Sequence, residues 1–123
     1  VIPEVLEKLS WTILALIHVP PASVSVAPAL IGRLYGVEAG SDMGILLMHR
    51  GVLFLAIVVA CLVAALHVTA RPLACVLVAL SIMGFLAIYA YGGMPTGPLR
   101  TIAVADTVAL LPLLYVIVRQ FLA

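Results

Sequence analysis

Two opposite charges, Arg50 and Asp106, fall inside long apolar runs of this sequence. Arg50 follows His49 directly, and His18, Tyr89, Tyr91, Arg100 and Thr101 lie at comparable positions in neighbouring runs. These residue types suit a limited chemistry. An arginine holds an anionic or carbonyl oxygen, an aspartate orients or neutralises it, and a histidine moves a proton or ligates iron.

The elements that must position these groups follow from composition. Of the 123 residues, 66 % are hydrophobic and 9 % charged, against about 25 % charged in an ordinary soluble domain. Two-thirds of the chain is roughly 80 apolar residues, enough for about four spans of about 20. A domain this small has too little interior to hide that surface from water, and a disordered chain would be poor in hydrophobics. Six basic and five acidic residues give a net charge of +1, which leaves no electrostatic footprint for nucleic acid. The lipid bilayer is the expected environment.

Punctuation residues divide the chain. Val1–Lys8 carries Glu4 and Glu7 rather than a basic cluster, and the apolar run after it is too long for a signal-peptide core, so no cleavable signal is expected. The first span reads from about Val5 to Val26, with Pro20 and Pro21 expected to kink or break its outer half. Pro28 suits the start of a short interfacial helix over 28–35, and Gly36 suits its stop. The second span covers about 44–66 and the third about 73–91, joined by a short connection that makes them an antiparallel hairpin. Gly92-Gly93-Met94-Pro95-Thr96-Gly97-Pro98 is the strongest turn signal. The fourth span covers about 99–122, with Pro112 inside it. The fold class is therefore all-α integral membrane, a four-helix up-down bundle with an interfacial helix in the first loop. Lys8, Arg71 and Arg119 on one side against Arg33 and Arg100 on the other place both termini in the cytoplasm by the positive-inside rule.

Depth is the informative quantity. Arg50 lies about six residues into its span and Asp106 about seven, so both are roughly 9–10 Å deep at 1.5 Å per residue, from the same membrane face. An unpaired charge there would cost several kcal/mol, so a salt bridge between Arg50 and Asp106 is expected. It serves either as a structural ion pair or as part of a ligand site with His49, His18, Tyr89, Tyr91 and Arg100. The opposite end offers Lys8, His67, Arg71 and Arg119, all near helix ends where they can snorkel to water. Trp11 and Tyr115 read as bundle or interface anchors. His49, Ala56, Ala60 and Ala64 form one small-residue stripe and Ser81, Gly84, Ala87 and Tyr91 another, both suited to close helix contact.

Other chemistries have partial support. His18 and His49 raise a bis-histidine haem, and with Asp106 they supply three potential metal ligands, without a recognisable spacing. Cys61 and Cys75 share one end of a hairpin but form no Cys-x-x-Cys pair, and they read as small buried hydrophobes. No Gly-x-Ser-x-Gly occurs, and Ser10, Ser23, Ser25, Ser41 and Ser81 have no adjoining base in sequence.

The proline-initiated stretch Pro28-Ala29-Leu30-Ile31-Gly32-Arg33-Leu34-Tyr35-Gly36, the basic Arg50 opening the second span and the Gly/Pro-rich third loop resemble small bacterial inner-membrane proteins of the DoxX-like four-helix kind. The resemblance covers most of the chain through short motifs. It implies a fold and a bacterial inner membrane, and no catalytic residue. Met48-His49-Arg50-Gly51 also resembles the His-Arg pair of succinate dehydrogenase anchor subunits near quinone, although those usually have three spans and a serine-rich context. Small multidrug transporters need a membrane-embedded acid in the first span and fluoride channels need asparagine, whereas Ser10–Ile31 has no acid and the sequence has no asparagine. The expectation is a non-catalytic binding or accessory protein. Its polar pocket would hold a lipid-like or quinone-like ligand, or dock a larger membrane complex or a second copy. A redox component binding haem or quinone is the alternative, followed by a small lipid-modifying enzyme using His49 and Asp106 for proton transfer.

Overall fold

A computed structural model of the chain describes residues 1–122. Helices account for 84 % of it, with no strand among the described residues. Helix α1 spans Ile2–Ser23, α2 Leu30–Tyr35, α3 Asp42–Leu66, α4 Arg71–Tyr91 and α5 Pro98–Ile117. A single 3-10 turn, Val68–Ala70, links α3 to α4, and a π turn, Val118–Leu122, continues α5.

Local chemistry sets most boundaries. Pro3 occupies the first turn of α1, where a missing N–H costs nothing, and Glu4 faces the positive end of the helix dipole. The expected break at Pro20-Pro21 is displaced, because the helix runs through both prolines and stops two residues later at Ser23. Serine hydroxyls take over the carbonyls that the ending helix leaves open. Ser23 Oγ donates to Pro20 O at 2.5 Å and Ser25 Oγ to Ala22 O at 2.8 Å.

Helix α2 is shorter than the 28–35 expected, but it ends as anticipated. Gly36 adopts φ 69° and returns its N–H to Gly32 O, a left-handed stop that glycine accepts without strain. Ser41 caps α3 by accepting from Gly44 N at 3.0 Å. Beyond α4, Gly93 and Met94 both have positive φ. Tyr89 Oη latches that turn by donating to Pro95 O at 2.7 Å.

The four long helices close into a ring in which α1 packs against α3 and α5, and α4 packs against α5 and more loosely against α3. The core runs down the axis through Trp11, Leu14, Val58, Cys61, Val78, Ile82, Ala109, Leu113 and Val116. The α1–α3 approach depends on Gly51, where a Cβ would stand 2.8 Å from Val24 Cγ2 and 3.1 Å from both Pro21 O and Ser25 N. The inward face of α3 is therefore Gly44, Gly51, Val58, Cys61, Ala64 and Ala65. The expected stripe His49, Ala56, Ala60 and Ala64 is split, since His49 and Ala56 are exposed, Ala60 is half-buried and Ala64 is buried. The second stripe is split likewise. Ala87 and Tyr91 are exposed, and α4 turns Ala74, Cys75, Val78, Ile82 and Tyr89 inward.

Among the described residues, three segments are long and apolar enough to cross a membrane: Asp42–Leu66, Val68–Tyr91 and Pro98–Leu122. Only 17–28 % of their apolar windows is buried within the protein, so most of each helix presents leucine, valine and isoleucine outward, a surface matched to hydrocarbon rather than water. α1, which carries Glu4, Glu7 and Lys8 near its start and Pro20 and Pro21 near its end, is not among them.

Candidate functional site

The loosest seam of the ring, between α3 and α4, opens into an apolar groove of about 600 Å³. Leu47, Leu53 and Ile57 form one wall, Leu77, Leu80 and Ile88 the other, and Gly84 leaves the floor clear. Arg50 is the one formally charged side chain lining it, accompanied by Ser81 and Tyr35.

Arg50 is held by three neighbours. Its guanidinium carbon lies 4.5 Å from the centre of the Phe54 ring and 5.9 Å from that of Phe85. Its Nη1 donates to Tyr35 Oη at 3.2 Å. Stacking on aromatic faces fixes the guanidinium plane and uses its cationic face, while the N–H groups at its edge stay free to donate. Tyr35 comes from α2, so the short helix acts here as a support for the arginine.

Behind Arg50 and Phe54, which line both spaces, lies an internal chamber of about 140 Å³. Asp106, His18 and Thr101 supply its remaining polar walls, with Ile17, Pro20, Pro21 and Ile102 among the apolar ones. Arg50 and Asp106 thus share one chamber, as their matched depth implied, but they do not make the expected direct salt bridge. The ion pairs among the described residues are Arg71–Glu4, Arg71–Glu7 and Arg119–Glu7. Stacking on Phe54 and the Tyr35 hydroxyl hold the guanidinium to its own side.

His18 is buried, with Nδ1 2.8 Å from Leu14 O and Nε2 3.0 Å from Ser81 Oγ. If Nδ1 carries the proton, the ring donates to the carbonyl and accepts from the serine hydroxyl, tying α1 to α4. His49 is exposed on the outer side of α3 and lines no part of the groove or chamber. The two histidines are therefore not brought together, and a haem held between them would need His18 to give up one of its two hydrogen bonds. Tyr91 is 94 % exposed, and Tyr89 is engaged by the loop. Tyr89 and Arg100 border a separate pocket of about 400 Å³ between α4 and α5. Of the residues expected at the site, the structure unites Arg50, Asp106 and His18, and separates His49, Tyr89, Tyr91 and Arg100 from them. Phe54, Phe85, Tyr35 and Ser81 are the members that sequence reading missed.

The opposite end is more elaborate than anticipated. Arg71, expected to snorkel to water, is buried and donates from Nε to Ala64 O at 2.7 Å and from Nη2 to Ala65 O at 3.3 Å. It thereby caps the final carbonyls of α3 while pairing with Glu4 at 2.9 Å. The Arg71 guanidinium bonded to Glu4 holds that carboxyl below its ordinary value. Glu7 is also buried. Its Oε1 accepts from Trp11 Nε1 at 3.1 Å, and its Oε2 lies 3.4 Å from Arg119 Nε without a hydrogen bond. Trp11, fully buried, is a core residue rather than an interface anchor. The i, i+4 pairing of Glu7 with Trp11 is the signal that marks this face of α1 as inward.

No family model, curated protein or solved structure matches the chain.

Proposed function

We propose that this chain is a multi-pass membrane protein that binds an amphiphile without transforming it, the apolar tail lying in the α3–α4 groove and the polar head reaching Arg50. The observation that carries this reading is a groove of about 600 Å³ whose lining is apolar except for Arg50, Ser81 and the Tyr35 hydroxyl, with the guanidinium stacked on an aromatic ring. An apolar groove with a few polar groups is the usual form of a site for a lipidic ligand. An arginine held on aromatic faces with free donors binds a carbonyl, carboxylate or phosphate oxygen.

In this reading α1 is a fourth span. It packs alongside α3, and from about Val5, one residue past Glu4, to Ser23 it extends roughly 28 Å at 1.5 Å per residue, close to the thickness of the hydrocarbon layer. The cluster of Glu4, Glu7, Arg71 and Arg119 then lies at the cytoplasmic end with both termini, α2 lies along the opposite interface, and the bilayer is a bacterial inner membrane of the kind the DoxX-like resemblance implies. A quinone falls within the ligand class, because a ring carbonyl would accept from the free edge of Arg50. A redox accessory role is accordingly the second reading.

Organic extraction of the purified protein, followed by mass spectrometry, tests the proposal. A lipid or quinone should be enriched over the bulk membrane extract in the unaltered protein and lost from Arg50→Ala. A composition equal to the bulk extract in both would overturn it.

A further inference from the structure

The chamber behind the groove specifies the headgroup. Resting on the amphiphile-binding reading above, we infer that the ligand carries a compact, uncharged head with a hydrogen-bond acceptor and a hydroxyl donor, seated between Arg50 and Asp106. Three observations support this. Arg50 and Phe54 line both the groove and the chamber, so these two side chains are the partition between them, and a head that enters the chamber does so by displacing them. Arg50 and Asp106 border the chamber from opposite helices without forming an ion pair, so each retains capacity for a third group. The chamber volume is about 140 Å³, close to the roughly 150 Å³ cavity that takes one benzene-sized group.

Complementarity then follows from donor and acceptor inventories. A guanidinium only donates and a carboxylate only accepts, so whatever bridges them presents an oxygen acceptor to Arg50 and an O–H or N–H to Asp106. A head with a net charge would satisfy one wall and be repelled by the other. A glycerophosphodiester head exceeds the chamber and brings a negative charge toward Asp106. A head of ester carbonyl plus hydroxyl satisfies both walls and leaves neither charge alone in a low-dielectric space.

The test uses the full-length protein in detergent, titrated by native mass spectrometry with three probes: 1-monooleoylglycerol, methyl oleate and dioleoyl phosphatidylglycerol. The first has a carbonyl and hydroxyls, the second a carbonyl alone, and the third a charged two-chain structure. Monooleoylglycerol should bind about ten-fold more tightly than either of the others, the scale of one hydrogen bond to a charged group. Asp106→Ala should abolish that advantage while leaving methyl oleate unchanged. Equal binding of monooleoylglycerol and methyl oleate, or tighter binding of the phosphatidylglycerol, overturns the headgroup assignment and leaves the groove reading intact. Absence of binding by all three removes both. The comparison of probes on the unaltered protein decides the matter even if Asp106→Ala fails to fold.

Discussion

Arg71 and Glu4 join α4 to α1 at one end of the helical ring, Nη2 to Oε1 at 2.9 Å, while the same guanidinium caps α3 through the Ala64 carbonyl at 2.7 Å. One buried side chain on α4 thus meets α1 and the last turn of α3 together. Removing it leaves Glu7 with Arg119 as its ionic partner and takes the donors from two buried helix-end carbonyls. Arg71→Ala should therefore destabilise the protein by about 1–3 kcal/mol for each carbonyl left without a donor. Unfolding by graded denaturing detergent measures it. A loss below about 1 kcal/mol, the scale of an exposed pair, would show that the cluster is solvated.

The same contact sets a pH dependence. Hydrogen bonding to Arg71 lowers the Glu4 carboxyl below its ordinary value of 4.5. A carboxyl with a depressed folded-state pKa binds fewer protons when folded than when unfolded. Its contribution is therefore complete above the ordinary value and lost as the pH falls through the folded one. Thermal stability should decline below pH 4.5, and Glu4→Gln should reduce that decline. Parallel pH profiles for the two proteins would remove Glu4 from the account.

Gly51 sets the approach of α1 to α3. A methyl at this position would press on Val24, Pro21 O and Ser25 N, and two of the three contacts are backbone atoms that cannot rotate away. Gly51→Ala should cost about 1–3 kcal/mol, as overpacking typically does. Gly84 has no atom within 4 Å of a Cβ position, so Gly84→Ala should be neutral or slightly stabilising, since alanine is the better helix former. Matched unfolding curves for the two variants would show that the α1–α3 contact is not tight.

These relationships explain what could be read from the chain in advance. Turn and stop signals were legible because they depend on backbone conformation alone: Gly36 ends α2, and Gly93 and Met94 form the third loop. Matched depth was legible because it depends only on helix rise, and it places Arg50 and Asp106 at one chamber. Which face of a helix turns inward was not legible. When every face is apolar, periodicity carries no contrast, so Ala56 and Gly51 look equivalent although one is exposed and the other is wedged against α1. Arg71 was misplaced for a related reason. Nearness to a helix end suggests access to water, yet the carbonyls that bury it belong to the preceding helix.

His18 supplies a link that neither depth nor periodicity indicates, between α1 and α4 through Ser81 Oγ at 3.0 Å. Hydrogen bonds between membrane helices average about 0.6 kcal/mol, so Ser81→Ala should destabilise by that order and no more. A loss several times larger would mean that the hydroxyl supports more than this one ring. Ser81 also lines the groove, so the same variant, folded nearly as well as the original, reports whether that hydroxyl helps to hold a ligand.

Filling the groove separates binding from folding. Gly84 lines it and has open space where a side chain would begin, so a bulky residue there occupies the tail site without displacing backbone. Gly84→Phe should keep the unfolding transition within about 1 kcal/mol of the original, the range of a tolerated substitution, and weaken amphiphile binding at least about ten-fold by taking the tail's contact area. Asp106→Ala should weaken binding too, but through the head. The two variants therefore differ in which probe they affect: Gly84→Phe lowers monooleoylglycerol and methyl oleate alike, whereas Asp106→Ala lowers only the first. If Gly84→Phe binds both probes as the original does, the tail does not lie between α3 and α4.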